Sequence, residues 1–105
     1  MPGNAHPLQV VLHAPTPDAL ERARNNAANL LQEAPAAQVR IVANAQGVAA
    51  ALDKAHAVLD PLTWLCPSTL QRIGRENRAP LQVLASPAVL TIARLQQEGW
   101  IYIRA

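Results

Sequence analysis

Residues 81–103 read LQVLASPAVLTIARLQQEGWIYI, and they contain a complete strand, helix and strand. LQVLA (81–85) is a short apolar run of strand length. Ser86 sits where a helix N-cap belongs, Pro87 at a first helical position, and Gly99 just past the helix end. WIYI (100–103) is a second aromatic and β-branched run. Two strands separated by one helix must run parallel, because the crossover returns the chain to its starting side.

The same alternation extends toward the N-terminus. LQVVLHA (8–14) is a strand that Pro15 and Pro17 break. A helix is predicted over 18–33, with Leu20, Ala23, Ala27, Leu30 and Leu31 on its apolar face. Arg22, Asn25, Asn26, Asn29 and Glu33 fall on the other face, for which solvent is the ordinary environment. QVRIVANA (38–45) is the next strand, and 47–58 reads as a helix closed by Asp60-Pro61. LTWLC (62–66) is a third strand, followed by a helix over about 68–77. The order βαβαβαβαβ predicts one α/β domain over 1–105, with five mainly parallel strands and helices on both faces of the sheet. The strands are apolar at nearly every position, which predicts burial on both sides.

The chain has 105 residues, half of them hydrophobic, which is long enough to close one core. Trp64, Trp100 and Tyr102 are the whole aromatic set, so Leu, Val, Ile and Ala must build that core. One cysteine, Cys66, allows no internal disulfide, which favours a reducing cytoplasm. MPGNAHP (1–7) carries neither the basic nor the apolar region of a signal peptide. No apolar run approaches the roughly 20 residues of a membrane span. A net charge of +2 is a weak electrostatic footprint for nucleic acid, and no DNA partner is expected.

In an open α/β sheet, ligands bind beyond the carboxyl ends of the strands. HAPTPD, NAQG, CPST and SPA meet there. Gly3, Gly47, Gly74 and Gly99 are the only glycines, so no phosphate-cradling array and no dinucleotide fingerprint exists. Cys66 ends the third strand directly before a helix, where an N-terminal dipole favours the thiolate. The bland alternative is a small, buried packing residue, the common fate of a lone cysteine. His6, His13 and His56 lack metal-ligand spacing, and no metal site or cofactor is expected. His13 ends the first strand and could pair with Cys66, although satisfaction by a neighbouring backbone group is the ordinary outcome. Ser68 with Gln71 forms a capping-box pattern, which favours Ser68 as the cap of the third helix. Arg72, Arg75 and Arg78 recur every three residues as a loose basic edge, explained equally by a solvated helix face.

The order of segments resembles the DsrE/DsrF-like family of small sulfur-relay proteins, in its stand-alone branch. The matching stretches are VVLHAP (10–15), NNAANLL (25–31), RIVANAQGV (40–48), LCPSTL (65–70) and LASPAVLTIARLQQEGWIYI (84–103). This resemblance implies a three-layer α/β/α domain that assembles into homo- or hetero-oligomers, commonly trimers or hexamers. It also implies that Cys66 accepts sulfur as a persulfide from a donor protein and yields it to an acceptor protein. The family's stand-alone members usually place glycine and asparagine after the cysteine, where this chain has Pro67 and Ser68. They often carry a histidine after the second strand, where this chain has Asn44. Pro67 has no N–H to offer a thiolate. If Cys66 caps the helix, Pro67 suits the first helical position and the thiol faces the next amides; if Ser68 caps it, Cys66 lies outside the dipole's reach. The reading is therefore a cytoplasmic homo-oligomer with Cys66 as a persulfide carrier. His13, Asn44, Pro67, Ser68, Thr69 and Ser86 are its candidate binding residues. A non-catalytic oligomeric binding or scaffold module is the rival, and a small-ligand pocket at Asn44, His13 and Ser86 a third reading.

Overall fold

Strand β1 (Gln9–Ala14) lies next to the middle of the sheet, and Val10, Val11, Leu12 and Ala14 are buried there. The computed structural model describes residues 7–105; the expectation for His6 lies outside them. After β1 come α1 (Pro17–Glu33), β2 (Gln38–Ala43) and α2 (Gln46–Asp53). A 3-10 turn (Asp60–Leu62) leads into β3 (Thr63–Leu65), α3 (Pro67–Ile73), β4 (Gln82–Val83), α4 (Ala88–Gln97) and β5 (Ile101–Arg104). All strand pairs are parallel, in the order β4-β3-β2-β1-β5. Among the described residues no helix is long and apolar enough to cross a membrane.

This order determines where the helices go. Steps from β1 to β4 all move in one direction, so right-handed crossovers put α1, α2 and α3 on one face. The step from β4 to β5 reverses direction and puts α4 on the other. The core divides accordingly. Val10, Leu12, Val39, Ile41 and Leu65 pack under Leu20, Ala23, Ala27, Val48, Ala51 and Leu70. Val11, Val42 and Cys66 pack under Ala88, Ile92, Leu95 and Trp100. The result is a three-layer α/β/α sandwich with three helices against one.

Local chemistry sets the element ends. Thr16 caps α1, its Oγ1 accepting from the Ala19 N–H at 3.0 Å, and Pro17 takes the first helical position. The small faces of Ala19, Ala23 and Ala27 let α1 lie close on the sheet. Asn25, Asn26 and Asn29 are exposed on its outer side.

Several sequence expectations need correction. Burial on both sides holds for β1 and β2 but fails at the edges: both residues of β4 and all four of β5 are exposed. An edge strand pairs on one side only, and a single helix cannot cover the face beside it. Helix α2 ends at Asp53, not near 58, because the next residues wrap around Asp60. The His56 N–H donates to Asp60 Oδ2 at 3.0 Å, and the Asp60 N–H donates to the His56 carbonyl at 2.9 Å. Arg24 (3.2 Å) and Arg78 (2.8 Å) complete the buried cluster. Arg78 also donates to the Ala51 and Leu52 carbonyls at the end of α2. The basic edge therefore does not form. Arg72 lies on α3, Arg75 pairs with Asp53, and Arg78 turns inward beyond the end of α3 at Gly74.

Candidate functional site

The carboxyl ends of β1, β2 and β3 form a rim where the candidate residues gather. Cys66 is the N-cap of α3, with extended backbone at φ −68°, ψ 121°, and Pro67 follows at the first helical position. Ser68 lies inside the helix, so the capping box does not form. An invariant φ near −65° suits Pro67 to begin the helix, and this places the cap one residue before it.

The sulfur faces two helix starts. Cys66 Sγ accepts from the Ala88 N–H, the first amide of α4, at 3.4 Å. Burial pushes the thiol up. The Ala88 N–H, the Thr69 N–H and hydroxyl, and the Ser68 N–H outweigh this and hold it below its ordinary value. Only the Ala88 contact has full hydrogen-bond geometry; the α3 amides act as an oriented dipole rather than as a formed cap bond. Cys66 is 6% exposed. Such a sulfur gives up its proton more readily than an ordinary thiol but is sterically covered.

Ser86 does not cap α4. Pro87 holds that position with ψ 147°, and the free amide of Ala88 turns to Cys66 instead. The sulfur does for α4 what the serine hydroxyl was expected to do. The Ser86 carbonyl accepts from the Thr91 hydroxyl at 3.4 Å.

Thr69 joins α3 to the turn after β2, its Oγ1 accepting from the Ala45 N–H at 3.3 Å. That turn is strained. Ala45 has φ 48°, ψ −134°, a region that L-residues seldom occupy. Gly47 follows because a Cβ there would stand 2.1 Å from the Ala14 carbonyl oxygen. The strained turn sets Asn44, whose Oδ1 accepts from His13 Nε2 at 2.8 Å. The other ring nitrogen, Nδ1, is 2.7 Å from the Tyr102 hydroxyl. With the amide oxygen accepting at Nε2–H, Nδ1 is the acceptor for the tyrosine proton. A hollow of about 320 Å³ under α4 opens beside this trio, lined also by Val89, Ile92 and Gln96.

Two groups thus stand on one rim. Cys66, Pro67, Ser68 and Thr69 surround the sulfur; His13, Asn44 and Tyr102 form a separate chain. No hydrogen bond joins His13 to Cys66, because both ring nitrogens are engaged and β2 lies between their strands. Tyr102 and Ala88 were not recognised in the sequence. Tyr102 could have been found from the parallel pairing, which sets Val11 opposite Tyr102 and puts it on the face of His13. Ala88 contributes only a backbone amide, which no side-chain pattern reveals. Among the described residues no three His, Cys, Asp or Glu side chains group as a metal site. No protein-family model matches the chain, and no curated protein matches it.

Proposed function

We propose that the protein is a DsrE-like, cytoplasmic, homo-oligomeric sulfur carrier that uses Cys66 alone. The observation that carries this reading is the convergence of the α3 and α4 N-termini on Cys66 Sγ, which lowers the thiol below its ordinary value despite burial. In the forward step the Cys66 thiolate attacks the outer sulfur of a donor persulfide, RS–SH. The S–S bond breaks, RS⁻ leaves with the bonding pair, and Cys66 becomes a persulfide. An acceptor thiolate then attacks the same outer sulfur and releases the Cys66 thiolate. Both steps are thiol exchanges without net oxidation, so no cofactor is needed. Donor and acceptor proteins supply the other thiols.

Self-association is supported by β5. Its outer edge is unpaired, and Ile101 and Ile103 are 48% and 43% exposed. A free apolar edge is a pairing surface that a second copy would cover.

The test is intact-mass measurement after exposure to a persulfide donor, with Cys66→Ser as control. Gain of one sulfur by the wild type alone supports the carrier. Absence of any adduct removes it. The 6% exposure of Cys66 favours a second reading, an oligomeric binding or scaffold module in which the sulfur only ties α4 to α3. Under that reading Cys66→Ser keeps the oligomer and all binding, and the wild type stays unmodified.

A further inference from the structure

The face under α4 is covered by one helix, and at the foot of the sheet it is left open. Arg40 on β2 stands there with its Cζ 5.2 Å from the Trp64 ring centroid and 5.0 Å from that of Trp100. A groove of about 380 Å³ runs past these side chains, with Gln38, Pro61 and Gln82 along it. Cation–π contact satisfies the charge of the guanidinium without using its N–H donors. Among the described residues no carboxylate pairs with Arg40, so its donor fork is free.

The charge distribution is lopsided in the same sense. All four ion pairs among the described residues lie on the α1–α3 side. Helix α4 and the sheet face beneath it carry Arg40, Arg94 and Arg104 against one acid, Glu98. Among the described residues Arg94 pairs with no carboxylate, whereas Arg104 Nη1 donates to the Ala105 oxygen at 3.3 Å. The groove also lies at the opposite end of the sheet from the strand-end rim, where small ligands of α/β folds bind. Its chemistry is that of a docking contact: the half-buried indole of Trp64 and one planar cation that pairs with no carboxylate among the described residues, backed from the core by Trp100, which is buried.

We propose that the Trp64–Arg40–Trp100 groove docks an acidic segment of a partner protein, with a carboxylate on the Arg40 fork and an apolar neighbour against the half-buried Trp64 indole. Charge complementarity selects the partner: carboxylates match the fork, and among the described residues no carboxylate competes for it. The inference is independent of the sulfur-carrier reading, since it uses neither Cys66 nor the rim.

Trp64 and Trp100 are the only tryptophans, so intrinsic fluorescence reports on this groove directly. The probe is a blocked heptapeptide alternating Leu and Glu, compared with its Leu–Lys counterpart and with an oligouridylate. The Glu peptide is expected to give a saturable change below about 1 mM, the range of a weak docking contact. Arg40→Gln should weaken it about tenfold, the loss of one charge-assisted hydrogen-bond pair. Arg40→Lys, which keeps the charge but loses the fork, should also weaken it, while Arg94→Gln should leave it within about twofold. If Arg40→Gln fails to fold, Arg40→Lys decides. No saturation with the wild type, an equal response to the Lys peptide, or unchanged binding in Arg40→Lys overturns the proposal. A stronger response to oligouridylate overturns the choice of a protein partner in favour of a nucleic-acid platform.

Discussion

The turn after β2 allows two substitutions of opposite sign only two residues apart. At Ala45 the backbone sits at φ 48°, ψ −134°, and its methyl group is exposed, so it contributes little packing. Holding an L-residue in so sparsely populated a region costs about 1–3 kcal/mol. Ala45→Gly releases that strain and gives back roughly 0.5–1 kcal/mol through the freer unfolded chain. The net expectation is a gain of about 1 kcal/mol. At Gly47 the calculation reverses. An added Cβ would lie 2.1 Å from the Ala14 oxygen and 3.1 Å from its carbon. Relief requires roughly 1 Å of movement between the end of β1 and the start of α2. That movement also disturbs the Gly47 N–H bonds to the Asn44 and Pro15 carbonyls at 2.9 and 3.2 Å. A loss of about 3 kcal/mol, the upper end of overpacking, is expected. Urea unfolding followed by far-UV circular dichroism measures both. A destabilised Ala45→Gly, or a Gly47→Ala within about 1 kcal/mol of wild type, would refute the account of this turn.

Asp60→Ala leaves Arg24 and Arg78 without their shared carboxylate and should cost about 3–5 kcal/mol at neutral pH. Burial raises the Asp60 carboxyl, but the Arg78 bond, the His56 N–H and both guanidinium charges hold it below its usual value. Its contribution is therefore complete above the unfolded carboxylate value of about 3.9 and is lost as pH falls through the lower native value. Urea curves of wild type and variant should differ equally at pH 7 and pH 5 and converge in strong acid; a difference that already shrinks between these two pH values counts against the pairing. For Cys66 the native thiol is also lowered, so its stabilising contribution grows as pH rises through the native value and is complete above about 8.5. The pH profile of native alkylation by iodoacetamide should show a midpoint below that of a free cysteine, and a midpoint at or above it rules out activation by the two helix starts. Tyr102→Phe removes the 2.7 Å contact to His13 Nδ1 and, at a half-exposed site, should cost about 1 kcal/mol or less. Nitrogen-15 spectra of the His13 ring should change at Nδ1 and hold at Nε2; an unchanged ring spectrum contradicts the bond.

The architecture was legible because its punctuation is local. Pro17 and Gly99 mark element ends through their own backbone limits, and the β-branched runs of β1 and β2 announce buried strands. Exposure of β4 and β5 was not legible, since an edge strand can be as apolar as a central one and differs only by its place in the sheet. The end of α2 was misjudged for a related reason. GVAAALDKAHAV is helical by propensity, but a buried carboxylate with two distant arginine partners draws the chain out of the helix after Asp53. At the rim, sequence placed Cys66 and His13 on the correct edge but could not tell a cap at Cys66 from one at Ser68. The difference is one of backbone angles. It could not show Ala88 at the sulfur or Tyr102 at His13 either, because both contacts depend on where the fourth crossover returns.

That return also governs the order in which the molecule can be completed. Strand β1 is made before every other described element, yet its neighbour on one side is β5, the last of them. The segment through α3 can assemble β1, β2 and β3 under three helices by contacts of modest sequence separation. Until β5 arrives, however, β1 keeps an open edge of unpaired amides and carbonyls beside Val10 and Leu12. A nascent or truncated chain lacking residues 101–104 is thus a sheet with its second-most central strand laid bare, and aggregation of such fragments should begin at β1.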